Sequence, residues 1–107
     1  MRPLSFNDGY IDATRGAYSP EDYEIDDVIA GRRTPAEIAN EIVDAVAEQT
    51  KADATDTAAA WADSRRLVGA ERDQSIAQQV GVYFDGWRAG IEREIQLAVD
   101  WRDSEGE

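Results

Sequence analysis

The sequence predicts an all-α protein: a small bundle of about four helices with a long C-terminal helix and an irregular N-terminal arm. Three observations predict it. Apolar residues recur at steps of three and four, helix-capping sequences precede several of these segments, and no stretch alternates apolar and polar residues as a strand would. With 107 residues and an apolar fraction of 42%, the chain fits one globular domain over residues 1–107.

The N-terminal residues 1–18 contain Pro3, Gly9 and Gly16 among scattered aromatic side chains. Proline lacks an amide donor, and glycine in a helix interior costs about 1 kcal/mol relative to alanine. We therefore predict an irregular arm here, with a short helical turn around Tyr10–Thr14.

The first clear helix is predicted to begin with Ser19 as N-cap and Pro20 at the first helical position. Acidic residues follow at once, where they favour the positive end of the helix dipole. Ile25, Val28 and Ile29 share its apolar face, and Gly31 is the predicted C-terminal stop.

The second helix has the firmest start in the chain, because Thr34–Glu37 reads as a capping box with proline at the first helical position. Acids line its outer face. Its apolar residues follow at helical spacing: Ile38, Ile42, Ala45 and Val46.

A break is predicted from Thr50 to Thr57, which is polar and poor in apolar anchors. Either Asp53 or Asp56 then caps a third helix that ends at Gly69. Its predicted inward residues are Ala58, Trp61 and Val68.

The fourth and longest helix is predicted from about Glu71 to about Trp101, followed by a frayed acidic tail at Arg102–Glu107. One apolar stripe runs along it. The stripe consists of Ile76, Val80, Tyr83, Trp87, Ile91, Ile95 and Ala98.

Three glycines, Gly81, Gly86 and Gly90, interrupt this last helix. Each costs about 1 kcal/mol relative to alanine, so each needs a reason. Close packing of another helix is the favoured explanation. A kink, or self-association of two chains through this face, is the alternative.

The charge is the unusual property of the sequence. The chain carries a net −12 at pH 7, with 23 acids, 11 bases and no histidine. Residues 1–30 carry −5, residues 31–60 carry −3, residues 61–90 are neutral and residues 91–107 carry −4. Such a charge repels nucleic acid and anionic membranes and favours basic partners, so we expect no direct nucleic-acid or membrane binding.

Catalytic and metal-binding patterns are missing from the sequence. It contains neither histidine nor cysteine, the commonest acid–base, nucleophilic and thiolate groups. Asp26 and Asp27 are neighbours that do not face each other on a helix, and Asp53 and Asp56 lack the spacing of a calcium loop. We expect no enzyme activity, no cofactor and no dedicated metal site.

Arginines form two clusters, Arg32–Arg33 and the group of Arg65, Arg66 and Arg72. We expect them to pair with acids of the same chain rather than to bind anions. No apolar run reaches the roughly 18 residues of a membrane span, and the N-terminus lacks the apolar region of a signal peptide. We therefore expect a cytoplasmic protein.

Acidic helices can imitate DNA. The duplex presents about one negative charge per 1.7 Å of its axis. Carboxylates three and four residues apart on a helix are neighbours about 5–6 Å apart. A helical body that carries such carboxylates can therefore compete for the DNA groove of a basic protein.

The order of segments resembles the Ocr antirestriction proteins of tailed phages. The resemblance rests on a Tyr-plus-acid segment at Tyr23–Asp27, a helix containing Ile42–Val46, an Ala-rich helix at Ala58–Ala62, and Ile76–Tyr83 within a long last helix. It implies a mostly helical, dimeric protein that mimics DNA and blocks a restriction enzyme or another host defence complex.

If the resemblance holds, the partner is a basic DNA-binding protein or defence complex and the chain forms a homodimer. A phage-encoded chain would then be located in the cytoplasm of the host cell. The binding face is then acidic and spans the first two clear helices. Its predicted residues are Asp22, Glu24, Asp26, Asp27, Glu37, Glu41, Asp44 and Glu48.

Two other classes fit the composition. Many acids with a single lysine, Lys51, are also typical of adaptation to high salt, in which case the chain is a small structural or adaptor protein, including a virion component. An antitoxin or immunity protein would use the same charge to block a basic toxin.

Overall fold

The computed structural model describes residues 2–105 except the side chains of residues 16, 17 and 105. It contains four α-helices: α1 at Phe6–Asp12, α2 at Asp22–Ile29, α3 at Pro35–Ser64 and α4 at Gly69–Glu105. No strand occurs within this range. The prediction of an all-α fold with a long C-terminal helix and an irregular N-terminal region is confirmed.

Helices α3 and α4 form an elongated hairpin. A connection of four residues separates them, so they run antiparallel. Arg66 and Gly69 turn the chain there with left-handed φ angles of 58° and 59°. Helix α4 has 37 residues, about 55 Å at 1.5 Å per residue, and it sets the long dimension of a molecule that measures 58 × 22 × 17 Å.

The predicted break at Thr50–Thr57 is wrong, because α3 is continuous through it. The hydroxyl groups of Thr50 and Thr57 donate to the carbonyl oxygens of Val46 and Asp53, one turn earlier. Ala54 and Ala58 are buried in the core. Small side chains at these two positions let α4 approach closely, and this packing decides the conformation where local propensity is weak.

The N-terminal region contains more helix than the predicted turn at Tyr10–Thr14. Ser5 caps α1: its hydroxyl oxygen accepts from the amide of Asp8, whose carboxylate accepts in return from the amide of Ser5. A π-helical turn at Ala13–Ala17 follows. This capping box fixes the start of α1 in spite of the glycine at position 9.

Glycines explain how α1 lies so close to α4. A Cβ atom added at Gly86 would overlap the carbonyl oxygen of Phe6, and one added at Gly90 would lie 2.7 Å from the Cβ of Ala13. A Cβ at Gly9 of α1 would overlap the carbonyl oxygen of Tyr83. Close helix packing therefore accounts for two of the three glycines in α4.

Helix α2 begins later than predicted. Its N-cap is Glu21 rather than Ser19, because the backbone amide of Glu21 donates to the carboxylate of Glu24 in a capping box. The helix ends as predicted at Gly31, whose φ of +75° is a left-handed conformation that suits glycine.

The core runs along the hairpin and is covered by α1 and α2. Val68, predicted inward, is 76% exposed in the connection between α3 and α4, and Ile29, predicted on the apolar face of α2, is 46% exposed at the last residue of that helix. Both predictions are wrong. Trp101 is 66% exposed. Helix α4 continues through Glu105 where a frayed tail was predicted, and residues 106–107 of that tail lie outside the described residues. The fully buried side chains of largest volume are Ile38, Val43, Ile91 and Ile95.

Candidate acidic interface

Half of the predicted acidic face forms a stripe on α3. Glu37, Glu41, Asp44 and Glu48 follow each other at steps of four, three and four, so they share one side of the helix. All four are exposed. The stripe covers 11 residues of rise, about 16 Å.

Two acids of this stripe are already engaged by the chain. The carboxylate of Glu37 accepts from the amide and the hydroxyl of Thr34, and Glu41 pairs with Arg33 at 2.5 Å. Within the described residues, Asp44 and Glu48 make neither an ion pair nor a side-chain hydrogen bond. They are therefore the acids of the stripe that are immediately available to a partner.

Glu24 does not belong to the surface, so its predicted place in the acidic face is wrong. It is only 4% exposed. Its carboxylate accepts from the hydroxyl of Tyr18 at 2.8 Å and from the amide of Glu21 at 2.9 Å. Burial, and then the hydrogen bond to Glu24, raise the pKa of Tyr18 far above its ordinary value. Glu24 has a structural role at the start of α2.

The other acids of α2 are neutralised by arginines. Arg102 of α4 donates to Asp22 at 2.8 Å and to Asp26 at 2.5 Å. Asp27 accepts from Arg32 and Arg33 at 2.8 and 2.9 Å. The hydrogen bond from Arg32 is the main cause that lowers the pKa of Asp27. The negative charge of α2 is therefore offset locally, in contrast to that of Asp44 and Glu48.

Three arginines of the two basic clusters pair with acids of the same chain, as expected, namely Arg32, Arg33 and Arg72. Arg65 and Arg66 form no ion pair with another described residue. Arg72 donates to Asp63 at 2.8 Å, and this hydrogen bond lowers the pKa of Asp63. The guanidinium of Arg65 lies 5.5 Å from the ring centre of Trp61, a cation–π contact. Six arginines in all form ion pairs among the described residues.

A second acidic region, not predicted from the sequence, lies between α1 and α3. Asp8, Asp12 and Asp53 line a crevice of about 430 Å³ between α1 and α3, together with Tyr83. The hydroxyl of Tyr83 donates to Asp12 at 2.6 Å. Burial, then this hydrogen bond, raise the pKa of Tyr83 to about 12. Asp53 is more than 40 residues from Asp8 and Asp12 in the sequence, so only the fold brings it close to them.

These acids do not form a metal centre. Across residues 2–105 no group of three or more carboxylates is arranged to hold a metal ion. Nor does any helix in this range have the length and apolar character needed to cross a membrane.

A groove of about 690 Å³ runs between α3 and α4 on the open side of the hairpin. Ile76, Val80 and Phe84 contribute apolar side chains to it, and Lys51 and Arg88 also line it. None of the eight predicted acids lines it. The groove and the acidic stripe are therefore separate surfaces.

Fold and surface together define a narrow, acidic helical protein whose arginines neutralise one end of the predicted face and leave the middle of α3 negative. Comparison of the chain with protein-family models, with curated proteins and with solved structures gave no match. The proposed function therefore rests on the chemistry of the surface.

Proposed function

We propose that the protein is an acidic DNA mimic that occupies the DNA-binding groove of a basic host defence complex, such as a restriction enzyme. The observation that supports it best is the combination of a rod of 58 × 22 × 17 Å with a net charge of −12. A body of this shape enters an elongated groove as a duplex does, and its charge attracts the basic side chains that line such a groove.

The charge density of the protein, compared with that of DNA, determines how well the protein competes with a duplex. A duplex as long as the rod, 58 Å, has about 17 base pairs and about 34 phosphate charges at one charge per 1.7 Å. The net −12 of the protein is about a third of that charge. The protein therefore competes through the part of the groove where its acids are uncompensated.

That part is the middle of α3. Asp44 and Glu48 are exposed and free of partners among the described residues, so a basic partner can pair with them without displacing an arginine. Asp22, Asp26 and Asp27 must first give up Arg102, Arg32 or Arg33. Exchange of one arginine for another adds little free energy, so these acids contribute less to binding.

The test is capture from a bacterial extract on the immobilised protein at low ionic strength, with duplex DNA added as competitor. We expect a DNA-binding protein to be retained and to be released by DNA. Binding also has to weaken as salt rises, because exposed charges are screened beyond about 8–10 Å at physiological ionic strength. Retention of a toxin chain that DNA does not release would contradict mimicry and indicate an immunity protein.

A matched pair of variants tests the assignment to α3. The first is Asp44→Asn with Glu48→Gln; the control, Asp100→Asn with Asp103→Asn, removes the same charge from exposed positions of α4. We expect the first to weaken binding about five-fold, for two exposed charge pairs of about 0.5 kcal/mol each. Equal losses in both variants would show that net charge alone drives binding and would refute a defined acidic face.

A further inference from the structure

The groove between α3 and α4 has the size of a small-molecule site. Its volume of about 690 Å³ falls within the roughly 300–1,000 Å³ that ligand pockets occupy. Gly81 lines it, and a Cβ added there would meet nothing within 4 Å, whereas α1 blocks a Cβ at Gly86 and Gly90. Packing within the chain therefore leaves Gly81 unexplained, and the missing side chain at this position keeps the groove open.

The floor of the groove is an apolar strip on α4. Ile76, Val80 and Phe84 follow each other at steps of four, so they share one side of the helix over about 12 Å of rise. Val80 and Phe84 are only 8% and 6% exposed, because the core of the chain already holds them. A molecule that lies on the strip covers its exposed remainder and displaces no side chain of the core.

The groove is positive, unlike the molecule as a whole. Its charged residues are three bases and two acids, whereas the chain carries −12. One of the acids, Asp85, is paired with Arg88 at 2.8 Å, and Arg72 is held by Asp63. Lys51, the single lysine of the sequence, is exposed and forms no ion pair with another described residue. It is the base of the groove that is available to a ligand.

The hairpin places Lys51 beside the apolar strip. At 1.5 Å per residue, Lys51 lies about 20 Å from the end of α3, and Val80 and Phe84 lie about 17 and 23 Å from the start of α4. Asp73, the second acid of the groove, lies about 6 Å from that start, so about 13 Å from Lys51 along the axis. This separation exceeds the screening length of about 8–10 Å. The charge that acts beside the strip is therefore that of the lysine.

We propose that the groove binds a linear apolar carboxylate as a free molecule, with the carboxylate at Lys51 and the chain along Val80 and Ile76. An extended chain advances about 1.2 Å per bond, so about ten carbons cover the roughly 12 Å of the strip. The basic side chain selects an acid over an amine, and the apolar floor selects a hydrocarbon chain. The acidic stripe on α3 lies outside the groove, so the proposal does not depend on DNA mimicry.

Titration of the isotopically labelled protein with decanoate, followed by its amide NMR signals, tests the site. We expect the signals of the groove residues to shift together and to saturate with a dissociation constant of about 1 mM, for about 12 non-hydrogen atoms. Salt at about 0.15 M screens the long-range effect of the net charge. Shifts that are scattered over the surface and do not saturate would overturn the proposal.

A ligand of opposite charge tests the selectivity. Decylammonium has the same chain, and we expect it to bind the groove about ten-fold more weakly than decanoate or worse, because Lys51 repels it. Equal affinity of the groove for the two ions would overturn the assignment of a carboxylate.

Charge variants test the role of Lys51. Lys51→Gln should weaken decanoate binding about three-fold, and Lys51→Glu about ten-fold. Arg15→Glu is the control, since it makes the same charge reversal at an exposed residue outside the groove, and it should leave the affinity within about two-fold. Equal losses in the two reversals would show that net charge governs binding and would refute the site at Lys51.

Filling the groove tests the geometry. Gly81→Trp places a large side chain in open space, and we expect it to weaken decanoate binding about ten-fold or more while thermal unfolding shows a stable fold. Gly81→Leu fills less of the groove and should have a smaller effect in the same direction. Gln74→Trp, at an exposed α4 position outside the groove, is the control and keeps the affinity. Unchanged binding in both folded Gly81 variants would overturn the proposal.

Discussion

The packing of α1 on α4 predicts that replacing glycine by alanine has opposite effects on stability at Gly81 and at Gly86 of α4. Gly81→Ala fills open space and removes the penalty of glycine in a helix, so it stabilises the protein by about 0.5–1 kcal/mol. Gly86→Ala gains the same propensity but drives a methyl group into the carbonyl oxygen of Phe6.

The cost at Gly86 follows from the contacts of α1. Helix α1 must move away from α4, which strains the hydrogen bonds from Tyr83 to Asp12 and from Arg93 to Tyr10. Overpacking of this kind costs about 1–3 kcal/mol, and a net hydrogen bond about 0.5–1.5 kcal/mol. After the gain in propensity, we expect Gly86→Ala to be about 2 kcal/mol less stable than the natural chain.

Urea unfolding followed by circular dichroism measures both effects. The two variants should differ by about 3 kcal/mol, or roughly 15 °C in Tm for a domain of this size. Measurement at two protein concentrations separates folding from association of two chains. Equal stabilisation by both substitutions would show that α1 does not pack against Gly86 and would refute the close approach.

Three further measurements follow. Arg66→Gly removes a left-handed conformation from a residue with a side chain, φ 58°, and should raise the free energy of unfolding by about 1 kcal/mol; an unchanged value would contradict the strain. The pKa of Tyr83 is raised in the folded state to about 12 from its ordinary 10.0. The contribution of Tyr83 to stability is therefore complete below pH 10 and is lost as the pH rises toward 12. Between these two pH values the Tyr83→Phe variant, which has no phenol to ionise, should lose on the order of 1 kcal/mol less stability than the natural chain does. At about 10 mM salt the protein should unfold cooperatively on heating, since its arginines pair with acids; a chain folded only in molar salt would indicate salt adaptation instead.

Local sequence signals predicted the ends of the helices well where a capping residue or a glycine marks them. Thr34 caps α3 as its sequence indicates, and Gly31 ends α2 in a left-handed conformation. The Ser5–Asp8 capping box also stands in the sequence, but the nearby proline and glycines favoured an irregular arm. Gly9 weakens α1 in isolation, but its lack of a Cβ is what lets α1 pack closely on α4.

The candidate interface was harder to predict, because ion pairing depends on distant residues. Arg102 neutralises Asp22 across 80 residues of sequence, and Glu24 is withdrawn from the surface by Tyr18. Counting the acids along a helix reveals neither the ion pair of Asp22 nor the burial of Glu24. Asp44 and Glu48 remain from the predicted face because no arginine of the described chain reaches them, which only the folded arrangement reveals.

Competition for a partner tests the central claim most directly. A captured, purified partner is loaded with a labelled duplex of about 17 base pairs, the length of this rod at 3.4 Å per pair, and titrated with the protein. The account predicts complete displacement, with an apparent inhibition constant that rises in proportion to the duplex concentration. A ternary complex of partner, duplex and protein, or displacement that stops short of completion, would contradict it.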